Sequence, residues 1–220
     1  MQTRTIEDRQ PYIVGGRRIV SCTECLNISG VRRLVGYDEA AIAWRGMIGT
    51  AVHKATAFMD LNEVDWPSIP PDVREPWDAL SPEVGHFSRS WTSCKMRERG
   101  RIRRVEYRVV ARHSGLDFGM TLDREIIWNG QPWIWDLKTP KKKEPWWGVQ
   151  LAGYVTGMVA LHHMPAERPY YWQRAAVRLL PDDFSFPYRI IPYIEQGDFD
   201  AFTWALGLAV WNINHYPNVL

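Results

Sequence analysis

The sequence predicts an α/β fold in which helices flank one sheet, and three observations predict it. Apolar periodicity runs in the order helix, three strands, helix, strands, helix, which fits a covered sheet. The length of 220 residues suits one domain, taken as 1–220, with no visible boundary, internal repeat or low-complexity segment. Apolar residues are 45% and charged residues 24%, a balance that excludes a disordered chain.

The elements follow in order. Tyr12 to Val14 and Arg17 to Ser21 form a short hairpin around Gly15 and Gly16. Ala40 to Leu61 carries apolar residues at helical spacing. Trp66 to Asp72 holds three prolines and reads as a loop, and Trp77 to Cys94 as a helix. Strands are expected at Ile102 to Arg112, Met120 to Trp128 and Gln131 to Lys138, then a helix at Pro145 to His163. Ala175 to Leu180 and Tyr188 to Tyr193 read as strands, and Phe199 to Asn214 as a closing helix.

A net charge of +2 does not announce a polyanion partner, but its distribution is uneven. Of 27 basic residues 21 are arginine, clustered at Arg17 and Arg18, at Arg32 and Arg33, and from Arg97 to Arg104. Lys141, Lys142 and Lys143 form a further cluster. Arginine forks suit phosphate, although a solvated charged face explains any single cluster as well. Twelve tryptophans serve chiefly as core or groove wall. Three cysteines exclude a disulfide framework, and no apolar run approaches the roughly 20 residues of a membrane span. Met1 to Gln10 lacks the apolar core of a signal peptide, so the expected setting is a reducing cytoplasm.

The most informative stretch is Met120 to Thr139. Asn129-Gly130 between two strand-like runs signals a two-residue type I′ turn, because both positions need φ > 0. That turn pairs Trp128 with Gln131, Ile126 with Trp133, Arg124 with Trp135 and therefore Asp123 with Asp136. By parity this last pair is non-hydrogen-bonded, with Cβ atoms roughly 4.5–5.5 Å apart. Opposed carboxylates need a shared proton or a cation, and oxygen ligands at this separation suit Mg²⁺ or Mn²⁺. Lys138 lies two residues after Asp136 and projects from the same face, where it can orient a water or neutralise charge on a phosphate. Trp133, Trp135 and Leu137 point into the core. The alternative is an exposed hairpin with both aspartates solvated.

These residues match a known pattern. Trp135-Asp136-Leu137-Lys138-Thr139 resembles the D-x-K-T element of RecB-like nucleases. Gly49-Thr50-Ala51-Val52-His53 resembles their G-T-x-x-H element, and Gln150-Leu151-Ala152-Gly153-Tyr154 their Q-x-x-x-Y element. Glu106 matches a glutamate on the strand before the metal hairpin. The resemblance spans about residues 17–215. It implies a PD-(D/E)XK, restriction-endonuclease-like fold with a central mixed sheet, close to small phage-type and mitochondrial genome maintenance exonucleases.

The resemblance also implies roles. His53, Asp123, Asp136 and the backbone carbonyl of Leu137 are expected to hold one or two Mg²⁺ or Mn²⁺ ions. Lys138 is the expected catalytic lysine, with Glu106 beside the metal acids. Gln150 and Tyr154 share a helix face that supports the lysine and touches DNA. Lys141 to Lys143, Trp146 and Trp147 are expected at the groove.

Three features depart from the family. Met120 replaces the usual glycine, Leu122 stands where the superfamily has proline, and three cysteines cannot hold a four-cysteine iron–sulfur cluster. Cys22-Thr23-Glu24-Cys25 has zinc spacing but no second pair, so no zinc is expected.

The expected activity is exonucleolytic hydrolysis of linear DNA, in recombination, repair or genome degradation, alone or with a single-strand annealing or recombination partner. A catalytically silent DNA-binding scaffold and an endonuclease are the alternatives. No membrane association is expected.

Overall fold

A computed structural model of the chain describes residues 10–32, 38–140, 142–162, 171–183 and 185–215. The expectations for Met1 to Arg9, Arg33, Lys141 and His163 lie outside the described residues. The chain opens with a hairpin of β1 (Tyr12–Val14) and β2 (Arg17–Ile19), followed by α1 (Cys22–Ile28) and α2 (Glu39–Asn62). A 3₁₀ turn (Trp66–Ser68) leads to α3 (Pro71–Leu80) and α4 (Pro82–Glu98). Then come β3 (Arg101–His113), β4 (Leu116–Trp128), β5 (Gln131–Lys138) and α5 (Trp147–Leu161). The elements β6 (Gln173–Leu179), β7 (Tyr188–Pro192) and α6 (Gly197–His215) complete the described part.

Strands β3 to β7 form one mixed sheet in sequential order, parallel only between β5 and β6. Helices cover both faces. On one, α1, α5 and α6 pack on Phe118, Met120, Leu122, Ile134 and Ala176. On the other, α2 and α4 pack on Ile126, Trp135, Leu137, Ala175 and Val177. Burial of Trp91, Trp135 and Trp147 anchors these layers, each such side chain contributing about 3 kcal/mol or somewhat more. Among the described residues no helix is long and apolar enough to cross a membrane.

The stretch expected as a loop, Trp66 to Asp72, instead starts two helical turns. Its prolines sit in first turns, where a missing N–H costs nothing. The single helix expected over Trp77 to Cys94 is two helices. Pro82 restricts the residue before it, and Ser81 adopts φ −170°, ψ 138° while its hydroxyl accepts from the Glu83 N–H at 3.2 Å. The strand expected from Met120 begins at Leu116, because Ser114 and Gly115 take φ of 50° and 78° and close a second tight turn with His113 opposite Leu116.

The turn at Asn129 and Gly130 forms as expected, with φ of 50° and 76°. The predicted pairs Trp128–Gln131, Ile126–Trp133 and Arg124–Trp135 are all present. Farther along, β4 does something alternation cannot foresee. Phe118, Met120 and Leu122 face the α5 side, yet Ile126, an even number of residues on, faces the α2 side. On β3, Tyr107 and Val109 pack toward α5 and Ile102, an odd number of residues away, toward α2, as alternation gives. Val105 pairs with Arg124 and Tyr107 with Leu122, so Glu106 and Asp123 stand opposite each other. Glu106 has φ 45°, and a bulge between Ile102 and Arg104 adds to the local twist. Strand β4 exchanges faces in this stretch, with the Glu106–Asp123 pair inside it.

Candidate metal centre

Three elements converge on that pair. His53 projects from α2, Glu106 from β3 and Asp123 from β4, and one ligand atom of each lies within 4.8 Å of the others. His53 Nδ1 is 3.2 Å from Asp123 Oδ1 and 3.6 Å from Glu106 Oε1. The side chains of Glu106 and Asp123 are only 6% and 3% exposed, so water screens their repulsion poorly. Burial opposes charge on the imidazole, but Asp123 and Glu106 override it and push His53 up to about 10. The metal-free trio therefore holds a proton where a divalent cation would supply counter-charge. Two carboxylates and an imidazole fit Mg²⁺ or Mn²⁺, with the nitrogen donor favouring Mn²⁺.

A second group lies on the α5 side. Lys138 Nζ meets the Asp136 carboxylate and donates to Gln150 Oε1 at 2.7 Å. Gln150 Nε2 donates to Tyr154 Oη at 3.0 Å and to Thr23 Oγ1 at 3.1 Å, which fixes the amide's orientation. These contacts need α5 close to α1 and α6. Gly153 permits this approach, since a Cβ there would stand 2.5 Å from Phe202 and 2.7 Å from Cys22 Sγ. The Lys138 ammonium also lies 5.0 Å from the centroid of Trp146 and 5.8 Å from that of Trp147. Burial pushes Asp136 up to about 6, with Lys138 pulling it down and Asp123 pushing it up.

The one-face arrangement expected for Asp123, Asp136 and Lys138 is therefore modified. The hairpin register holds as far as Arg124–Trp135, but the expected Asp123–Asp136 pair is not part of the ladder, and Asp123 lies where its strand exchanges faces. It meets His53 on α2, while its Oδ2 accepts the Leu137 N–H at 2.7 Å. Asp136 and Lys138 turn to α5. Leu137, expected through its carbonyl, meets Asp123 through its N–H, and Glu106, expected beside the metal acids, joins His53 and Asp123 in a trio that could hold a metal.

The groove expectation divides. Trp147 is fully buried in the core, a correction caused by its place in the first turn of α5 against the sheet. Trp146 is half-buried between Arg32, 4.7 Å from its ring centroid, and Lys138. Lys142 and Lys143 are exposed, and Lys143 lies 4.8 Å from the Tyr193 ring centroid. Cys22, Cys25 and Cys94 are buried thiols, and burial pushes Cys25 up to about 12.

Sequence reasoning passed over Thr23, Asp60 and the role of Arg124. Asp60 is fully buried and receives Arg124 Nε at 2.6 Å, Lys95 Nζ at 2.7 Å and Trp91 Nε1 at 2.9 Å. The available signal was helical spacing, since Asp60 lies seven residues after His53 on one face of α2.

No family model and no curated protein matches the chain. The chain is similar to a solved structure titled "Crystal structure of SSO0001", at 14% identity and a TM-score of 0.35. That match covers 63% of this chain and 61% of that one, so the chain spans less than two thirds of the matched protein. Similarity at this level carries no argument about fold family or activity.

Proposed function

We propose that this chain is a metal-dependent DNA exonuclease of the RecB-like branch of the PD-(D/E)XK superfamily. The observation that carries this reading is the meeting of His53, Glu106 and Asp123 in one buried trio, with a lysine held by Asp136 and Gln150 on the adjoining strand. It is supported by where the motif residues lie. G-T-x-x-H, D-x-K-T and Q-x-x-x-Y come from separate segments; His53 reaches the sheet from α2 on one face, Gln150 and Tyr154 from α5 on the other, and Asp136 and Lys138 lie on β5 between them.

His53, Glu106 and Asp123 would hold the divalent ion, which when bound supplies Lewis acidity toward a phosphoryl oxygen and a water of lowered pKa. Lys138 offers a fixed ammonium that neutralises charge growing on the phosphate as water adds and the 3′ oxygen departs. Gln150 keeps that ammonium aimed, with Thr23 and Tyr154 keeping the amide from rotating. Trp146 and Trp147 cover the ammonium and restrict water around it. Exposed Lys142 and Lys143 attract the DNA backbone. The products are a 5′ phosphate and a 3′ hydroxyl.

The test uses end-labelled linear and covalently closed circular DNA with Mg²⁺, Mn²⁺ or EDTA. Metal-dependent loss of linear DNA alone supports the proposal. Cleavage of the circle replaces it with an endonuclease, and binding without cleavage replaces it with a silent scaffold.

A further inference from the structure

Arg124 follows the ligand Asp123 in sequence and is 0% exposed. Burial of a guanidinium is costly unless its donors are satisfied. Here they are, by partners that do not belong to one element. Nε donates to Asp60 Oδ2 at 2.6 Å and Nη2 to Thr56 Oγ1 at 3.1 Å, both on α2. Nη1 donates to the backbone carbonyl of Asp123 at 2.7 Å and lies 3.6 Å from Glu106 Oε1. The Trp91 ring of α4 packs 5.5 Å from the guanidinium carbon and donates its own N–H to Asp60.

Two details make this more than a structural pair. The Glu106 oxygen that Arg124 approaches is also the one 3.6 Å from His53 Nδ1, so one carboxylate oxygen lies between two cationic groups. In addition, Thr56 and Asp60 lie three and seven residues after His53 on α2, and the Thr56 hydroxyl, which donates to the Val52 carbonyl at 2.8 Å, lies 3.2 Å from the His53 carbonyl. One guanidinium thus grips the helix that carries the histidine, the strand that carries the aspartate and the glutamate between them.

We propose that Arg124 is the positioning residue of the metal centre, clamping α2 to β4 through Asp60 and Thr56 so that His53, Glu106 and Asp123 meet. It touches neither substrate nor metal. Its planar fork is what the task requires, because three acceptors in different directions must be held at once. A lysine offers one ammonium and can keep only the Asp60 contact. This inference rests on the trio being the metal site, but the clamp itself exists without metal.

The experiment compares the full chain with the double variant Asp60→Leu, Arg124→Met and with the single variant Arg124→Lys. The double variant removes both members of the buried pair together, which avoids an unpaired buried guanidinium, while the partly exposed Lys95 ammonium can turn to solvent and Trp91 loses its acceptor. Thermal melting reports folding, calorimetric titration reports Mn²⁺ binding, and the ring ¹⁵N shifts of His53 in metal-free protein report its contact with Asp123. Both variants are expected to fold, to shift the His53 signals toward those of a solvated imidazole, and to bind Mn²⁺ at least about tenfold more weakly. Wild-type His53 shifts and Mn²⁺ affinity in a folded variant would overturn the proposal. If the double variant does not fold, Arg124→Lys decides by the same two signals. If the wild-type protein itself binds no Mn²⁺, the nuclease reading fails, and the His53 shifts still decide whether Arg124 positions the trio.

Discussion

Two buried charge clusters lie along one face of α2, less than two helical turns apart, and they are built on opposite principles. Around Asp60 one carboxylate receives a guanidinium, an ammonium and an indole N–H, so its charge is compensated and its lone pairs are used. Around His53 two carboxylates face one imidazole, with Arg124 3.6 Å from the same Glu106 oxygen and the Leu137 N–H on Asp123. Both sites are desolvated, so the contrast cannot come from depth. A buried acid that exists to hold a fold stands alone among donors, whereas two buried acids brought together on one imidazole are poised to take up a cation. Arg124 belongs to both clusters, drawing its anchor from the first and holding members of the second.

The largest effect should come from removing a charge at the second cluster. Asp123→Asn removes a ligand and relieves repulsion, so metal-dependent DNA hydrolysis should fall on the order of a thousandfold. Thermal melting without metal reports the fold separately, and its midpoint near pH 7 should fall only modestly, because Asp123 is also the main counter-charge of the His53 imidazolium. A variant with full turnover would dissolve the distinction between the clusters.

The converse change belongs to the first cluster. Asp60→Asn leaves Arg124 charged and short of its strongest acceptor, and such a loss costs about 3–5 kcal/mol. The melting midpoint should fall by roughly 10 °C. Urea denaturation gives an independent measure, and an unchanged midpoint would mean that Asp60 is not the anchor assigned to it.

How much of this was legible in the sequence depends on the range of the interaction. The Asn129-Gly130 turn was readable because two residues dictate it, and it fixed the β4–β5 register correctly as far as Arg124–Trp135. The approach of Gln150 to Lys138 was implied by the family motifs, and helical spacing placed Tyr154 beside Gln150. The membership of the ligand trio was not legible in this way. It depends on β4 exchanging faces between Leu122 and Ile126, opposite Glu106, whose φ of 45° no composition signal announces in a residue other than glycine. The Asp60–Arg124 contact joins residues 64 apart and appears only once α2 lies on the sheet. The break between α3 and α4 could have been read, since Pro82 with Ser81 before it is a local signal that the apolar periodicity of Trp77 to Cys94 masked.

Asp136 sharpens the comparison because it sits between the two designs, an acid with one cationic partner and a second acid nearby. If it holds the lysine, Asp136→Asn should leave Mn²⁺ affinity within about twofold while turnover falls about ten- to a hundredfold. If it also ligates the ion, calorimetric affinity should fall with turnover. Measuring both in one variant separates these roles, and unchanged turnover would remove Asp136 from the site altogether.

The smallest effect is a pH dependence that only the anionic cluster should show. In metal-free protein the His53 value is raised from 6.5 to about 10, so its charged form is favoured by folding. Its contribution is fully present below 6.5 and is lost as pH rises through about 10. Between these limits stability should decline on the order of 1 kcal/mol per pH unit from this group alone. Burial raises Asp136 from 3.8 to about 6, and that contribution, present below 3.8, is lost as pH rises through 6. The two windows do not overlap, so melting in EDTA between pH 7 and 9 isolates the histidine. His53→Gln should flatten the wild-type decline over that range. Saturating Mn²⁺ should flatten it as well, because a bound cation replaces the proton that the trio would otherwise lose. A wild-type curve already flat in EDTA would mean that the imidazole does not carry the charge that Glu106 and Asp123 impose on it.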